Sequence, residues 1–328
     1  MAQKILGVDI GYGSLKLALC KDGNVKKTAV AEMPANLLRD GRITSPEALS
    51  ELLRETMRKH HIHASRAAVV LPNEQSYIRT VTMPRMTAEQ LKYNIPYEFN
   101  DYIEDEVKNY VFDYAMISDP KADTGDTMEL MAVAAPTWLL DDAKAIMGMA
   151  GLRFAKAAPV EYAYLSLIRQ AERGNADKRE YCFLDIGYRA VRMFMYRGDQ
   201  HIVTRVLETG LRTVAEAIAE ALNVDIHLAH TFLERNYEDC QKKEFCMNAY
   251  NNLAVELMRA LNFYRFSNPD STLSDVWLCG GGAGIEALCG VISETLDLNI
   301  HPAEELISGG NRVLQCYNYL QAVGITMD

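Results

Sequence analysis

One tetrapeptide, DIGY, occurs at Asp9–Tyr12 and again at Asp185–Tyr188, and this constrains the fold more than any other feature of the chain. From Asp9 to Asp185 the offset is 176 residues, and at that single offset DIGYGSLKLALCKDG faces DIGYRAVRMFMYRGD. Leu15 then faces Val191, Lys16 faces Arg192, Leu17 faces Met193 and Leu19 faces Met195. Each copy reads as a β-hairpin: an apolar run (KILGVDIG or YCFLDIG), a tight turn, then alternation (SLKLALC or AVRMFMY). A second turn follows in each, KDGN or RGDQ. Two hairpins in corresponding places predict two related domains, one after the other.

Composition agrees with that size. The chain has 328 residues, long for one core and comfortable for two domains. Its net charge of −10 disfavours nucleic-acid binding, which calls for a basic face. No apolar run approaches the ~20 residues that span a bilayer. The chain enters a strand-like KILGVDIG at once, so we expect a cytoplasmic protein with no direct membrane insertion. The seven cysteines include no CxxC pair and read as free thiols, mostly buried. His60, His61, His63, His227 and His230 sit beside helix patterns and read as solvated helix ends rather than metal ligands.

The hairpin chemistry follows from its residues. An Asp that ends a strand projects its carboxylate past the sheet edge. The Gly behind it lets backbone N–H groups approach an anion. Asp9 and Asp185 are thus candidates to hold Mg²⁺ through water. A lone DIG would read as a plain turn, but DVWLCGGGAGIEALCGVISETL adds a third element. Here a short strand, Val276–Cys279, runs into Gly280, Gly281, Gly282 and Gly284 and then a helical pattern. A packing turn needs one glycine; four point to a flat ligand lying on backbone.

Two phosphate-type hairpins followed by a glycine-rich strand–helix junction resemble the actin-like ATPase superfamily. The α/β fold implied is a pair of duplicated ribonuclease-H-like domains with nucleotide in the cleft between them. The stretch between the hairpins narrows the resemblance. Thr87 and Gln90 form a capping box for a helix from about Ala88, and Pro96 kinks or restarts it. YVFDYAMI and MELMAVAAP read as strands around the polar loop SDPKADTGDT, with a helix from about Trp138 to Met149. VLPNEQSYIRTVTMPRMTAEQL, EFNDYIEDEVKNYVFDYAMI, LMAVAAPTWLLDDAKAIMGMAGL, VEYAYLSL and MRALNFYR resemble the PilM family of type IV pilus assembly proteins. FtsA is related but longer, and it ends in a basic amphipathic helix that LQAVGITMD does not supply.

The resemblance implies a first domain over 1–180, with an inserted α+β subdomain at about 76–151. A second domain follows over 181–314, with a helical insertion at about 211–274, and a C-terminal segment, 315–328, returns to the first domain. The spacings Val214, Ile218, Leu222 and Leu253, Leu257, Leu261 fit core-facing helices in the second insertion. The implied ligands are ATP or ADP and Mg²⁺. Asp9 approaches the metal, Gly11, Gly13 and Ser14 cradle phosphate, and Lys16 neutralises it. Gly280, Gly281 and Gly282 lie against the adenosine and Gly210 lies near the ribose. Tyr12, bulkier than the family's usual residue, is expected to point aside. The implied partner is the cytoplasmic N-terminal tail of the inner-membrane protein PilN. The tail is held in a groove between the first domain and its insertion, and the pilus motor ATPases are further candidate partners. That makes the protein peripheral to the inner membrane, an adaptor between membrane platform and motor, with slow hydrolysis at most.

The second hairpin departs from the pattern. It keeps Asp185 and Gly187, but Arg189 and Ala190 stand where the first copy has a glycine and a hydroxyl. Arg189 has three readings: it holds phosphate, fills the site, or reaches solvent. Glu161, in PVEYAY, is the one carboxylate where actin-like enzymes position water, and it is also a common helix-start residue. Two alternatives to the adaptor stand beside it: a small-molecule kinase of the same superfamily and a nucleotide-free scaffold.

Overall fold

The computed structural model describes residues 4–117, 125–172, 179–307 and 315–327. β1 (Lys4–Ile10), β2 (Ser14–Lys21) and β3 (Asn24–Glu32) form an antiparallel meander. A short hairpin, β4 (Leu38–Arg39) and β5 (Arg42–Ile43), leads into helix α1 (Pro46–Lys59), and β6 (Arg66–Leu71) then pairs parallel to β1. The chain leaves the sheet for β7 (Tyr77–Pro84), α2 (Ala88–Asn94), β8 (Tyr110–Met116) and β9 (Thr127–Pro136). It returns through α3 (Thr137–Met149) to β10 (Arg153–Pro159). The first sheet has the order β10-β6-β1-β2-β3, and the excursion forms its own sheet, β7-β9-β8.

Helix α4 (Val160–Ala171) leads to the second copy: β11 (Glu180–Ile186), β12 (Val191–Arg197) and β13 (Gln200–Leu207). Helices α5 (Leu211–Leu222), α6 (Ile226–Arg235) and α7 (Glu244–Ser267) precede β14 (Asp275–Cys279). α8 (Glu286–Thr295), β15 (Asn299–His301) and α9 (Leu320–Gly324) complete it. The second sheet, β13-β12-β11-β14-β15, repeats the first in order and direction.

The repetition extends to register. Lys4↔Lys21 through Ile10↔Leu15 in the first hairpin become Glu180↔Arg197 through Ile186↔Val191 in the second, each shifted by 176 (180 − 4). The register shift at Leu19/Cys20 recurs at Met195/Tyr196. The turns match as well: Gly11 N–H donates to Ser14 O at 3.0 Å and Gly187 N–H to Ala190 O at 3.1 Å.

Local signals account for the excursion. Thr87 Oγ1 accepts from Gln90 N–H while Gln90 Oε1 accepts from Thr87 N–H, closing the expected capping box. Pro96 lacks the N–H for another α-turn, and α2 passes into a 3₁₀ turn at Ile95–Phe99. Leu91, Ile95 and Phe99 cover one face of the three-stranded sheet. α3 buries Ala143, Ile146 and Met147 on the first five-stranded sheet instead. Residues 118–124 of the expected polar loop lie outside the described residues, as do 308–314 within the span expected for the second domain. Leu222, expected on a buried stripe, ends α5 at 43% exposed.

Five layers result. α1 and α3 cover the outer face of the first sheet, and α5, α7 and α8 cover that of the second. α4 and α9 fill the space between the sheets, with Tyr164 stacked on Phe183 at 4.3 Å. α9 lies directly on β1 because Gly7 has no side chain: a Cβ there would overlap the carbonyl of Ala322. Gly324 does the same for α9 against Ala163 of α4. Gly7→Ala must force this layer apart, and we expect a loss of at least about 3 kcal/mol. Urea unfolding measures it, and a midpoint equal to wild type would contradict the packing described.

Candidate functional site

The strand ends of both copies point into one cleft between the two sheets. One wall presents Asp9, Gly11, Tyr12, Gly13, Ser14 and Lys16; the other presents Asp185, Gly187, Tyr188, Arg189 and Arg192. Gly281, Gln321, Asn73, Glu74, His230 and Glu234 also line the cleft. Its apolar lining includes Leu38, Ile43, Leu71, Leu139 and Ala143.

The two turns touch around the pseudo-twofold axis. Tyr188 packs on Gly13, where an added Cβ would stand 2.9 Å from Tyr188 Cβ. The mate of that contact at the 176 offset is Tyr12 with Arg189. The guanidinium lies 5.0 Å from the Tyr12 ring centroid, and Nη1 donates to Tyr12 Oη at 3.1 Å. Tyr12 does not point aside. Its hydroxyl also accepts from Gly41 N–H at 2.7 Å, tying the first turn to the β4–β5 hairpin. Arg189 thus faces the cleft and pairs with no carboxylate among the described residues.

The basic residues diverge between copies. Lys16 Nζ sits 3.3 Å from Asp9 Oδ2 in its own hairpin. Burial raises the Asp9 pKa, Lys16 works against this, and the facing Asp185 adds to it. Burial disfavours the Lys16 ammonium, yet Asp9 and Asp185 outweigh it and raise its pKa. Arg192, the counterpart of Lys16, leaves Asp185 and crosses the cleft. Its Nε donates to Asn73 Oδ1 at 2.9 Å, and Nη2 pairs with Glu74. Asp185 is held instead by α9: Gln321 Nε2 donates to its Oδ2 at 2.8 Å.

Of the residues predicted from sequence, Asp9, Gly11, Gly13, Ser14, Lys16, Asp185, Gly187, Arg189 and Gly281 meet at this cleft. Gly210, Gly280, Gly282 and Glu161 do not line it. Packing at this junction needs more than the one glycine expected from the sequence. A Cβ on Gly280, where φ is +80°, would overlap Asp185 and lie 2.7 Å from Ile186 O. One on Gly282 would overlap the Ile186 side chain, and one on Gly210 would stand 2.6 Å from Tyr188 O. These glycines seat the second hairpin, and only Gly281 faces the cleft. His230, read as a solvated helix end, is buried on α6 with its ring 4.6 Å from that of Tyr188. Sequence reasoning also missed Gln321 and the cross-cleft role of Arg192. The match of Arg192 to Lys16 was a usable signal; Gln321 carried none.

Glu161 is buried at the start of α4, beside the cleft-lining Val160. Its Oε1 accepts from Thr204 Oγ1 at 3.0 Å, and its Oε2 has no partner among the described residues. Since that hydroxyl proton goes to Glu161, Thr204 accepts from His201 Nε2 at 2.9 Å. Burial pushes the Glu161 carboxyl up to about 7 and lowers His201 to about 4. The Glu161 proton is therefore held in the fold well above the pH at which the unfolded chain releases it. Its contribution is complete below about pH 4.5 and is lost as pH rises through about 7. Glu161→Gln should gain stability relative to wild type from pH 5 to pH 8, by about 2–3 kcal/mol. Paired thermal melts test this, His201 being common to both proteins; a pH-independent difference would contradict it.

A duplicated α/β fold with strand ends converging on an interdomain cleft is the actin-like ATPase architecture. The family model described as type IV pilus assembly protein PilM matches residues 7–312, and the chain belongs to that family. Among solved structures, the PilM–PilN type IV pilus biogenesis complex aligns at TM-score 0.82 and 24% identity, covering 98% of this chain and 97% of that one. Ethanolamine utilization protein EutJ from Carboxydothermus hydrogenoformans aligns at 0.61 and 13%, covering 99% and 89%. MreB5 of Spiroplasma citri, bound to ADP, aligns at 0.53 and 11%, covering 99% and 95%. No curated protein matches. No helix among the described residues is long and apolar enough to cross a membrane.

Proposed function

We propose that this chain is a cytoplasmic, nucleotide-binding adaptor of type IV pilus assembly, or of a related secretion system. It binds the cytoplasmic N-terminal tail of a PilN-like inner-membrane protein and connects the membrane platform to the motor. The observation that carries the reading is the family match over residues 7–312, joined to a cleft in which both copies contribute charged strand ends. The solved PilM–PilN complex supports the choice of partner. The tail would lie in the groove between the first domain and its insertion. Membrane anchoring of the partner raises its effective concentration, so a small interface suffices.

The polar lining of the cleft suits ATP or ADP. Gly11, Gly13 and Ser14 would face phosphate, and Lys16 with Arg189 would neutralise it. The residues fit a divalent cation: two buried carboxylates, Asp9 and Asp185, stand close enough for the second to raise the pKa of the first. Mg²⁺ held there would offset phosphate charge, mostly through its own waters. Glu161 lies outside the cleft lining, so we assign it to the fold rather than to activation of water or a sugar hydroxyl. This argues against a small-molecule kinase.

A scaffold without nucleotide is a second reading, favoured by the contact between the turns at Gly13 and Tyr188. The adaptor predicts that a peptide from the N-terminus of the cognate PilN-like protein binds the isolated chain. It also predicts that Mg·ATP raises the melting temperature. Absence of peptide binding at high micromolar concentration would sink the adaptor. Peptide binding without any nucleotide effect would select the scaffold.

A further inference from the structure

The side chain of Gln321 occupies a position that nothing in the duplicated motifs specifies. It comes from α9, lines the cleft, and uses its amide nitrogen twice. Nε2 donates to Asp185 Oδ2 at 2.8 Å and to Tyr164 Oη at 3.1 Å. Tyr164 is fully buried, and its hydroxyl also lies 3.1 Å from Cys279 Sγ. Both partners of the nitrogen are thereby fixed, and the carboxylate can only accept. The amide has one orientation that satisfies them, nitrogen toward Asp185. Its other end, Oε1, takes no hydrogen bond among the described residues.

The backbone that carries this amide is held as firmly. α9 has β1 on one side and α4 on the other, at two approaches so close that Gly7 and Gly324 admit no Cβ. Little freedom remains for the side chain to lose on meeting a ligand.

A small divalent cation such as Mg²⁺ keeps several waters, and these waters need acceptors in fixed positions. Asp9 and Asp185 supply carboxylate oxygens. An amide oxygen adds an acceptor without adding charge, where a third carboxylate would oppose the nucleotide. We propose that Gln321 completes the divalent-ion site: its nitrogen orients Asp185, and its Oε1 accepts from the hydration shell of the ion. This rests on the nucleotide-binding reading above. It makes Gln321 a positioning residue for Asp185 and a ligand to metal-bound water, and it connects cation occupancy to the C-terminal helix between the two sheets.

The test separates cation-dependent from cation-independent binding. ADP is titrated calorimetrically into the full chain in Mg²⁺ and in EDTA. Binding of Mn²⁺ with ADP is followed by electron paramagnetic resonance. Gln321→Met keeps the volume and removes both polar atoms. We expect Gln321→Met to lose about tenfold in Mg²⁺ and in Mn²⁺ affinity. In EDTA it should bind ADP as wild type does. Loss of ADP binding by Gln321→Met in EDTA to the same extent would reveal a purely structural role and overturn the proposal. Unchanged Mg²⁺ dependence would overturn it too. If wild type binds no ADP in either buffer, the nucleotide reading itself fails and takes this proposal with it. If wild type binds ADP alike in both buffers, only the cation proposal fails.

Discussion

The seat of α9 between the two sheets is the contact on which the remaining geometry depends. Gly7 in β1 and Gly324 in α9 remove the side chains that would keep sheet, α9 and α4 apart. The two hairpins owe their face-to-face position to the thickness of that layer. The 176 offset exposes how the copies divide the labour: Gly7 corresponds to Phe183, and Ala18 to Phe194. The first sheet offers a small-residue inner face on which a helix can lie. The second offers an aromatic one, where Phe183 and Phe194 pack on Tyr164 of α4. Outward positions stay alike, Leu17 with Met193 and Leu19 with Met195, because each faces an ordinary helix layer.

With the hairpins so placed, the difference between GSLK and RAVR becomes a division of roles across the axis. In the first copy the base pairs with its own Asp9. In the second, α9 takes over Asp185 through Gln321, and Arg192 reaches Asn73 and Glu74 across the cleft. Arg189 replaces a glycine and puts its guanidinium over Tyr12, while Tyr188 occupies the space that Gly13 leaves open. The eroded copy has exchanged small residues for contacts that cross the cleft. An arginine stacked on a ring, with no carboxylate partner among the described residues, keeps most of its affinity for an anion.

Much of this was legible in the sequence because it is local. Hairpin register, turn position, the capping box at Thr87 and Gln90 and the interruption at Pro96 depend on residues within a few positions of each other. The 2-residue alternation after each DIGY survived divergence because one slip would turn every core residue outward. The glycine junction was legible as a junction but not in its cause. Gly280 and Gly282 are small because the second hairpin lies against them, a contact made across roughly a hundred residues of chain. Gln321 and His230 were illegible for the same reason. Each gains its meaning from a partner on a distant segment, Asp185 for one and Tyr188 for the other. Glu161 was visible as a carboxylate at a helix start; its removal from the cleft depends on Thr204, which arrives from an edge strand of the second sheet.

On the function proposed above, an intact and an eroded copy together make one anion site, not one working hairpin beside a relic. Arg189 tests it most directly, since it stands where the first copy has Gly13 and reaches Tyr12 of that copy without a carboxylate partner among the described residues. Calorimetric titration of Mg·ATP into Arg189→Ala, beside wild type, reads that contribution. The account predicts one site per chain in wild type and at least about a tenfold loss of affinity in the variant. Equal affinity in the two proteins would mean that the second hairpin takes no part in binding and would contradict it.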